Sequence, residues 1–212
     1  MDDKITILGI AGGSGSGKSS ISRYVANYYN HQGSDIIELD SYYHDLKHLP
    51  MSDREKNNFD HPDAIDFNLM IKHLNDLVNG KEILVPVYDY KNHIRTEQFK
   101  KIKANKIIIL EGLFALLKKE VREFINIKVF VETDEETRLK RRIKRDIKYR
   151  KRTRDSVIKQ YNSTVKPMYD NYIGPTKEYA DIIIHKGVKN TVAIEQLIAK
   201  INLMNKDKIN IK

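Results

Sequence analysis

Residues 12–19 read Gly12-Gly13-Ser14-Gly15-Ser16-Gly17-Lys18-Ser19, four glycines in eight positions ending on Lys-Ser. The spacing G-x-x-x-x-G-K-[ST] is a phosphate-binding pattern only where a buried strand runs into it and a helix leaves it. Both conditions are met. Ile5 to Ala11 is a β-branched, apolar run, and Lys18 to Tyr29 carries Ile21, Val25 and Tyr28/Tyr29 at helical spacing. Glycines let the backbone turn so that successive N–H groups face an anion, and the helix start adds the positive end of its dipole. Gly12, Gly13, Ser14, Gly15, Ser16, Gly17 and Ser20 would line the phosphates, Lys18 would reach the transferred group, and the Ser19 hydroxyl would ligate Mg²⁺.

That loop commits the chain to a particular architecture. Apolar runs at Asp35–Asp40, Lys106–Leu110, Ile127–Val131 and Ala180–Ile184 alternate with helical patterns near 66–79, 114–124, 134–150, 154–172 and 190–204. Strand–helix alternation predicts an α/β protein with a parallel sheet covered by helices on both faces. Ile83–Tyr90 and Gln98–Lys103 flank a polar turn and predict a β-hairpin excursion near 83–103. No repeat or linker divides the 212 residues, so one domain is expected. No run of apolar residues is long enough to span a bilayer, and Met1-Asp2-Asp3-Lys4 lacks a signal-peptide pattern, so an intracellular, cytoplasmic protein is expected. The absence of cysteine excludes disulfides, thiolate metal sites and cysteine nucleophiles.

Two acids sit where such a sheet opens its ligand crevice. Glu111 ends the strand Ile107–Leu110, beside Gly112, and is placed to orient Mg²⁺. Asp40 ends the second strand, within Leu39-Asp40-Ser41-Tyr42-Tyr43, and is placed to take the proton from an attacking alcohol. A guanine-reading Asn-Lys-x-Asp is absent, which argues against a switch GTPase.

Charge supplies the remaining clue. The chain totals +9, yet residues 138–154 hold eleven bases against the single acid Asp146, a local +10. The rest of the chain is close to neutral. On a helix over 134–150, Arg138, Arg142, Arg145 and Tyr149 share one face. A triphosphate is an anion that would justify such a cluster, and arginine's fork suits it. The segment near 138–160 is therefore read as an Arg-rich helical lid, with Lys140, Lys144, Lys148 and Lys151 solvated.

Taken together, GGSGSGKSS, LDSYY, NFDHPDAID, VPVYDYKNHIR, IIILEG, RRIKRDIKYRKR, QYNSTVKPMY and KEYADIII resemble the uridine kinase (uridine–cytidine kinase) family of P-loop nucleoside kinases, from about residue 5 to about 201. The resemblance implies transfer of the γ-phosphate of ATP or GTP to the 5′-hydroxyl of uridine or cytidine. It implies Asp40 as general base, with Lys18 and Arg145 also catalytic, and Ser19, Glu111 and Asp40 around Mg²⁺. Arg145 and Arg150 would close over the triphosphate. Asp60 and Arg142 would fix the ribose hydroxyls, Tyr88 and His93 would face the pyrimidine, and Arg152 and Gln160 would complete the nucleoside pocket. A homotetramer is also implied, with small-molecule partners and neither nucleic acid nor membrane. Lys151 departs from the glycine usual between the two arginines of the lid. The alternatives are a phosphoribulokinase-like sugar-phosphate kinase and a nucleic-acid-binding P-loop ATPase, whose basic helix would track a phosphate backbone.

Overall fold

The computed structural model describes residues 5–207; the opening residues 1–4, read above for a targeting signal, lie outside them. Five parallel strands form the main sheet: β1 (Thr6–Ala11), β2 (Ser34–Glu38), β5 (Ile107–Glu111), β6 (Ile127–Glu132) and β7 (Ile182–His185). Their order is β2-β5-β1-β6-β7. The chain fills one side of β1 first and then the other, so the order reverses at β1. The crevice of a doubly wound sheet opens at such a reversal, beyond the strands' carboxyl ends.

The sheet's burial on both faces follows from the pleat. Successive side chains point to opposite sides, so Ile108 and Leu110 of β5 enter one core while Ile107 and Ile109 enter the other. In β6 Phe130 parts in the same way from Val129 and Val131. One core is closed by α1 (Lys18–Tyr28) and by a C-terminal helix. The other is closed by α3 (Phe67–Val78), through Met70, Leu74 and Leu77, and by the hairpin strand β3 (Ile83–Asp89). Asp66 caps α3 by accepting from the Leu69 N–H at 2.9 Å.

Antiparallel pairing of β3 with β4 (Ile94–Ile102) builds the hairpin. The second strand starts four residues earlier than its sequence pattern indicates. Four of its nine residues are charged and five are exposed, so no apolar alternation marks it, and the ladder to β3 sets its length. Two short helices, α2 (Met51–Arg54) and α4 (Lys119–Arg122), sit in the loops. The expected helix over 114–124 is reduced to α4. The Arg122 guanidinium donates to the Leu116 and Leu117 carbonyls, at 2.8 and 2.7 Å, and takes acceptors that a continuous helix would use.

The basic segment forms α5 (Glu135–Arg150), started by an Asp134 cap, and is followed by α6 (Arg154–Gln160). The helix expected to run through 154–172 is continuous in path but not in type. Wide π-helical turns at Tyr161–Val165 and Tyr169–Ile173 flank α7 (Lys166–Met168). Pro167 lacks an N–H and crowds the preceding turn, which favours such widening. The last helix is α8 (Thr191–Asp207). Strand β7 begins two residues later than expected, and β2 stops at Glu38, so Asp40 lies in a 3₁₀ turn, Leu39–Tyr42, rather than in the strand itself.

Candidate active site

The glycine-rich loop joins β1 to α1 at the crevice. Gly15 has φ +80, and a Cβ there would lie 2.5 Å from the Arg138 carbonyl, so only glycine fits. Lys18 is buried, and its Nζ donates to the Gly13 carbonyl at 3.2 Å. Burial lowers its pKa, with the Glu111 and Asp40 charges opposing that shift. Arg141 donates to the Gly15 and Ser16 carbonyls at 3.2 and 3.1 Å, and Thr133 also donates to Ser16 O at 3.0 Å. These carbonyls are thereby turned to partners behind the loop.

Strand register brings the two acids to the same place. Glu38 pairs with Glu111 across β2 and β5, and Asp40 follows two residues on. Gly112 permits this approach, since a Cβ there would stand 2.3 Å from Leu39 Cβ. Ser19 Oγ donates to the Glu111 carboxylate, 3.2 Å from each oxygen. The Asp40 and Glu111 pKa values are both raised above the ordinary carboxylate range, by burial first; Lys18 pulls each down, and each acid raises or is raised by neighbouring carboxylates, Glu38 among them. A hydroxyl beside two crowded carboxylates at a phosphate loop is a donor set that suits a hard divalent cation. Among the described residues no cluster of three or more His, Cys, Asp or Glu forms a metal cage, so such a cation would rely on phosphate oxygens as well.

One open cleft of about 1400 Å³ runs from the loop to the hairpin. A pocket for one drug-sized ligand measures about 300–1000 Å³, so this cleft has room for two. Ser14, Gly15, Gly17, Lys18, Ser19, Ser20, Asp40, Glu111, Arg145 and Arg150 line one part of it. Asp60, Tyr88, His93, Arg142, Arg152 and Gln160 line the remainder. The site residues named from the sequence line this cleft, except Gly12, Gly13 and Ser16, which lie buried behind its surface, and Arg138 of the arginine face.

Arg142 links the two parts. It is 4% exposed and donates to Ser14 Oγ at 3.0 Å, to Asp60 at 3.5 Å and to Gln160 Oε1 at 3.1 Å. Arg152 also donates to Gln160 Oε1, and its Nη2 donates to Ser156 Oγ at 2.7 Å. The shared helix face expected for the arginines is not maintained. Arg138 turns inward, donating to Thr133 O and lying 3.7 Å over the Tyr169 ring, and does not line the cleft. Tyr149, by contrast, is 71% exposed.

The hairpin end of the cleft is aromatic. His93 stacks on Phe59 with ring centres 4.7 Å apart and planes 16° from parallel. Tyr43 and Tyr88 meet Phe59 and each other edge-on or tilted. Burial lowers the His93 pKa, which keeps the ring neutral with one donor and one acceptor nitrogen. Phe59 and Tyr43 have no role assigned from the sequence, although both lie inside motifs it offers, Asn58-Phe59-Asp60-His61-Pro62 and Leu39-Asp40-Ser41-Tyr42-Tyr43. Arg95 fastens the hairpin to the Asp40 turn. It donates to the Tyr42 and Tyr43 carbonyls at 3.2 and 2.9 Å and to Asp66 at 3.1 Å.

Comparison with known proteins agrees with this geometry. A family model described as "Phosphoribulokinase / Uridine kinase family" matches residues 7–193. A uridine kinase of Streptococcus thermophilus is 45% identical over 201 residues, 95% of each chain. A uridine kinase of Streptococcus agalactiae serotype V is 46% identical over 209 residues, 98% of this chain and 100% of that one. The structure of phosphoribulokinase from Rhodobacter spheroides superposes with a TM-score of 0.63 at 14% identity, covering 86% of this chain and 70% of the other, which shows a shared fold.

Proposed function

This chain belongs to the phosphoribulokinase/uridine kinase family, and from that premise we infer that it is a nucleoside kinase transferring the γ-phosphate of ATP or GTP to the 5′-hydroxyl of uridine or cytidine, giving UMP or CMP. The observation that carries the reading is one cleft with a phosphate loop at one end, an aromatic and carboxylate pocket at the other, and Asp40 on its wall.

The division of labour follows from the chemistry of each group. Loop N–H groups and Lys18 hold the donor's phosphates; Ser14 and Ser20 add hydroxyls, and Arg145 and Arg150 face the same part of the cleft. Asp60 accepts from the vicinal ribose hydroxyls, and Arg142 holds Asp60. Tyr88 and His93 face the base, while Gln160, held by Arg142 and Arg152, closes the pocket. Asp40 accepts the 5′-hydroxyl proton as the oxygen attacks phosphorus, and its raised pKa makes it a stronger base than an ordinary aspartate. Lys18, Arg145 and Arg150 neutralise charge on the transferred group. Ser19 and Glu111, with Asp40 beside them, would hold Mg²⁺, which when bound would neutralise charge on the donor's phosphates.

The hairpin and the basic segment are, in this reading, the nucleoside-binding excursion and the lid of a single domain. No described helix is long and apolar enough to cross a membrane. A cytoplasmic enzyme, assembled as four identical chains, is part of the same proposal, and light scattering checks the assembly. The decisive assay supplies purified protein, Mg²⁺ and ATP or GTP with uridine, cytidine or ribulose 5-phosphate. UMP and CMP are expected; phosphorylation of ribulose 5-phosphate alone would overturn the assignment. Retention of RNA or DNA in a gel-shift at physiological salt would revive a nucleic-acid role for α5.

A further inference from the structure

The one acid of the basic segment, Asp146, has a place that the reading above does not use. Its side chain is fully buried, on the exit side of α5. Arg145 Nε donates to Oδ1 at 2.8 Å, Arg150 Nη1 lies 3.6 Å from the same oxygen, and Arg142 Nε lies 3.6 Å from Oδ2. The Asp146 carbonyl accepts the N–H of Lys151 and, at 3.2 Å, that of Arg152. Side chain and backbone of one residue thus contact five residues of the cleft wall, Arg142, Arg145, Arg150, Lys151 and Arg152. A buried carboxylate persists only where charge partners offset its lost hydration, and three guanidinium groups provide that here. Arg142 also pairs with Asp60, so the three guanidinium groups face two carboxylates and keep one charge in excess, which remains attractive to an anion.

The three arginines do not depend on Asp146 equally. Arg142 has three other acceptors, Ser14, Asp60 and Gln160. Among the described residues, the Arg145 and Arg150 side chains have Asp146 as their hydrogen-bond or ion-pair partner and no other. They are also the two that face the donor's phosphates in the proposed function, on which this inference rests.

We propose that Asp146 is a positioning residue that holds Arg145 and Arg150 toward the phosphate loop, and so governs the phosphate-donor half of the reaction while leaving the nucleoside half largely unchanged. Asp146→Asn keeps the shape and removes the charge. The kcat/KM for ATP falls by about 10²-fold, the loss that a misplaced catalytic group of about 1 Å produces, whereas KM for uridine changes by less than about threefold. In an Arg145→Gln background the same substitution costs less, because only Arg150 is then left to lose its hold and residues acting through one another are not additive.

Equal losses on donor and acceptor constants, a full additional loss in the Arg145→Gln background, or an unchanged donor constant would each overturn the proposal. Circular dichroism and a melting curve accompany every variant. Should Asp146→Asn not fold, Asp146→Glu keeps the charge, displaces the carboxylate by one methylene and is expected to show the same donor-selective loss. Should wild-type protein make no UMP, the functional reading fails instead. Equilibrium binding of a non-hydrolysable ATP analogue to wild type and Asp146→Asn then decides the positioning role, with weaker binding to the variant expected and equal binding overturning it.

Discussion

Lys151 sits at the end of α5 with φ 53 and ψ 32, the left-handed region that favours glycine. A side chain there costs about 1–2 kcal/mol in backbone strain, partly offset by glycine's greater freedom in the unfolded chain. Lys151→Gly is expected to stabilise the protein by about 0.5–1 kcal/mol in urea unfolding. Lys151→Ala removes the same charge but keeps the Cβ and should give no gain; an equal gain would trace the effect to charge. From the sequence, Lys151 is only a lysine in place of a usual glycine, and its backbone angle is set by the α5–α6 turn. Asp40 is the other residue on which much depends. Asp40→Asn should lower kcat by about 10²–10⁴-fold with donor affinity nearly unchanged, since general-base contributions are of that size. Single-turnover kinetics alongside ATP-analogue binding separate the two, and wild-type turnover in the variant would remove Asp40 from the base role.

Among the elements, the hairpin shows how a weakly patterned strand is nevertheless held in place. Strand β4 carries little apolar signal, but Arg95 on it donates to two carbonyls of the Asp40–Tyr43 segment and to Asp66. Both partners of the Arg95–Asp66 pair are about one-fifth exposed, so water screens it only in part. Arg95→Ala should cost about 2–4 kcal/mol, because buried carbonyls and a carboxylate lose a charged donor. It should also raise the uridine KM, since the hairpin carries Tyr88 and His93; stability loss without any KM change would sever the hairpin from nucleoside binding. Phe59→Ala removes the ring stacked on His93, and about 0.5–1.5 kcal/mol of pair energy predicts a several-fold rise in nucleoside KM at nearly constant donor KM. Hairpin, sheet strands and α5 were legible in the sequence from apolar runs, turn signals and charge. The first residues of β4, the shortness of α4 and the π-helical turns around Pro167 were not, because long-range pairing, a side chain capping carbonyls and packing decided them.

At the scale of the whole molecule, the cleft stores unfavourable charge in the absence of ligand. Glu111 and Asp40 have pKa values raised above those of the unfolded chain, so the folded state holds more protons across the window between. Stability from these groups is therefore present below the ordinary carboxylate range and lost as pH rises through their raised values. Glu111→Gln removes one such charge. Its Tm should exceed that of the wild type near neutrality, with the gap narrowing as pH falls toward about 4. A gap that stays constant or widens on acidification would contradict the sign. Donor binding with Mg²⁺ should reverse part of the cost, adding about 2.7 kcal/mol of stability at a ligand concentration of 100 Kd.

What the sequence determined by itself was local and periodic: a phosphate loop between a buried strand and a helix, apolar strands alternating with helices, acids at strand ends and a lone concentration of arginine. Each is legible because neighbouring residues, a few positions apart, carry the physics. Tertiary structure alone decided the strand order that reverses at β1, the closeness of Leu39 to Gly112 that brings Asp40 beside Glu111, and the separation of the arginines into different duties. Arg138 turns to Thr133 and Tyr169, Arg142 bridges Ser14 and Asp60, and Arg145 leans on Asp146. Helical spacing assigns them one face, but a guanidinium on a long, flexible stem goes to whichever acceptor the packed chain brings within reach.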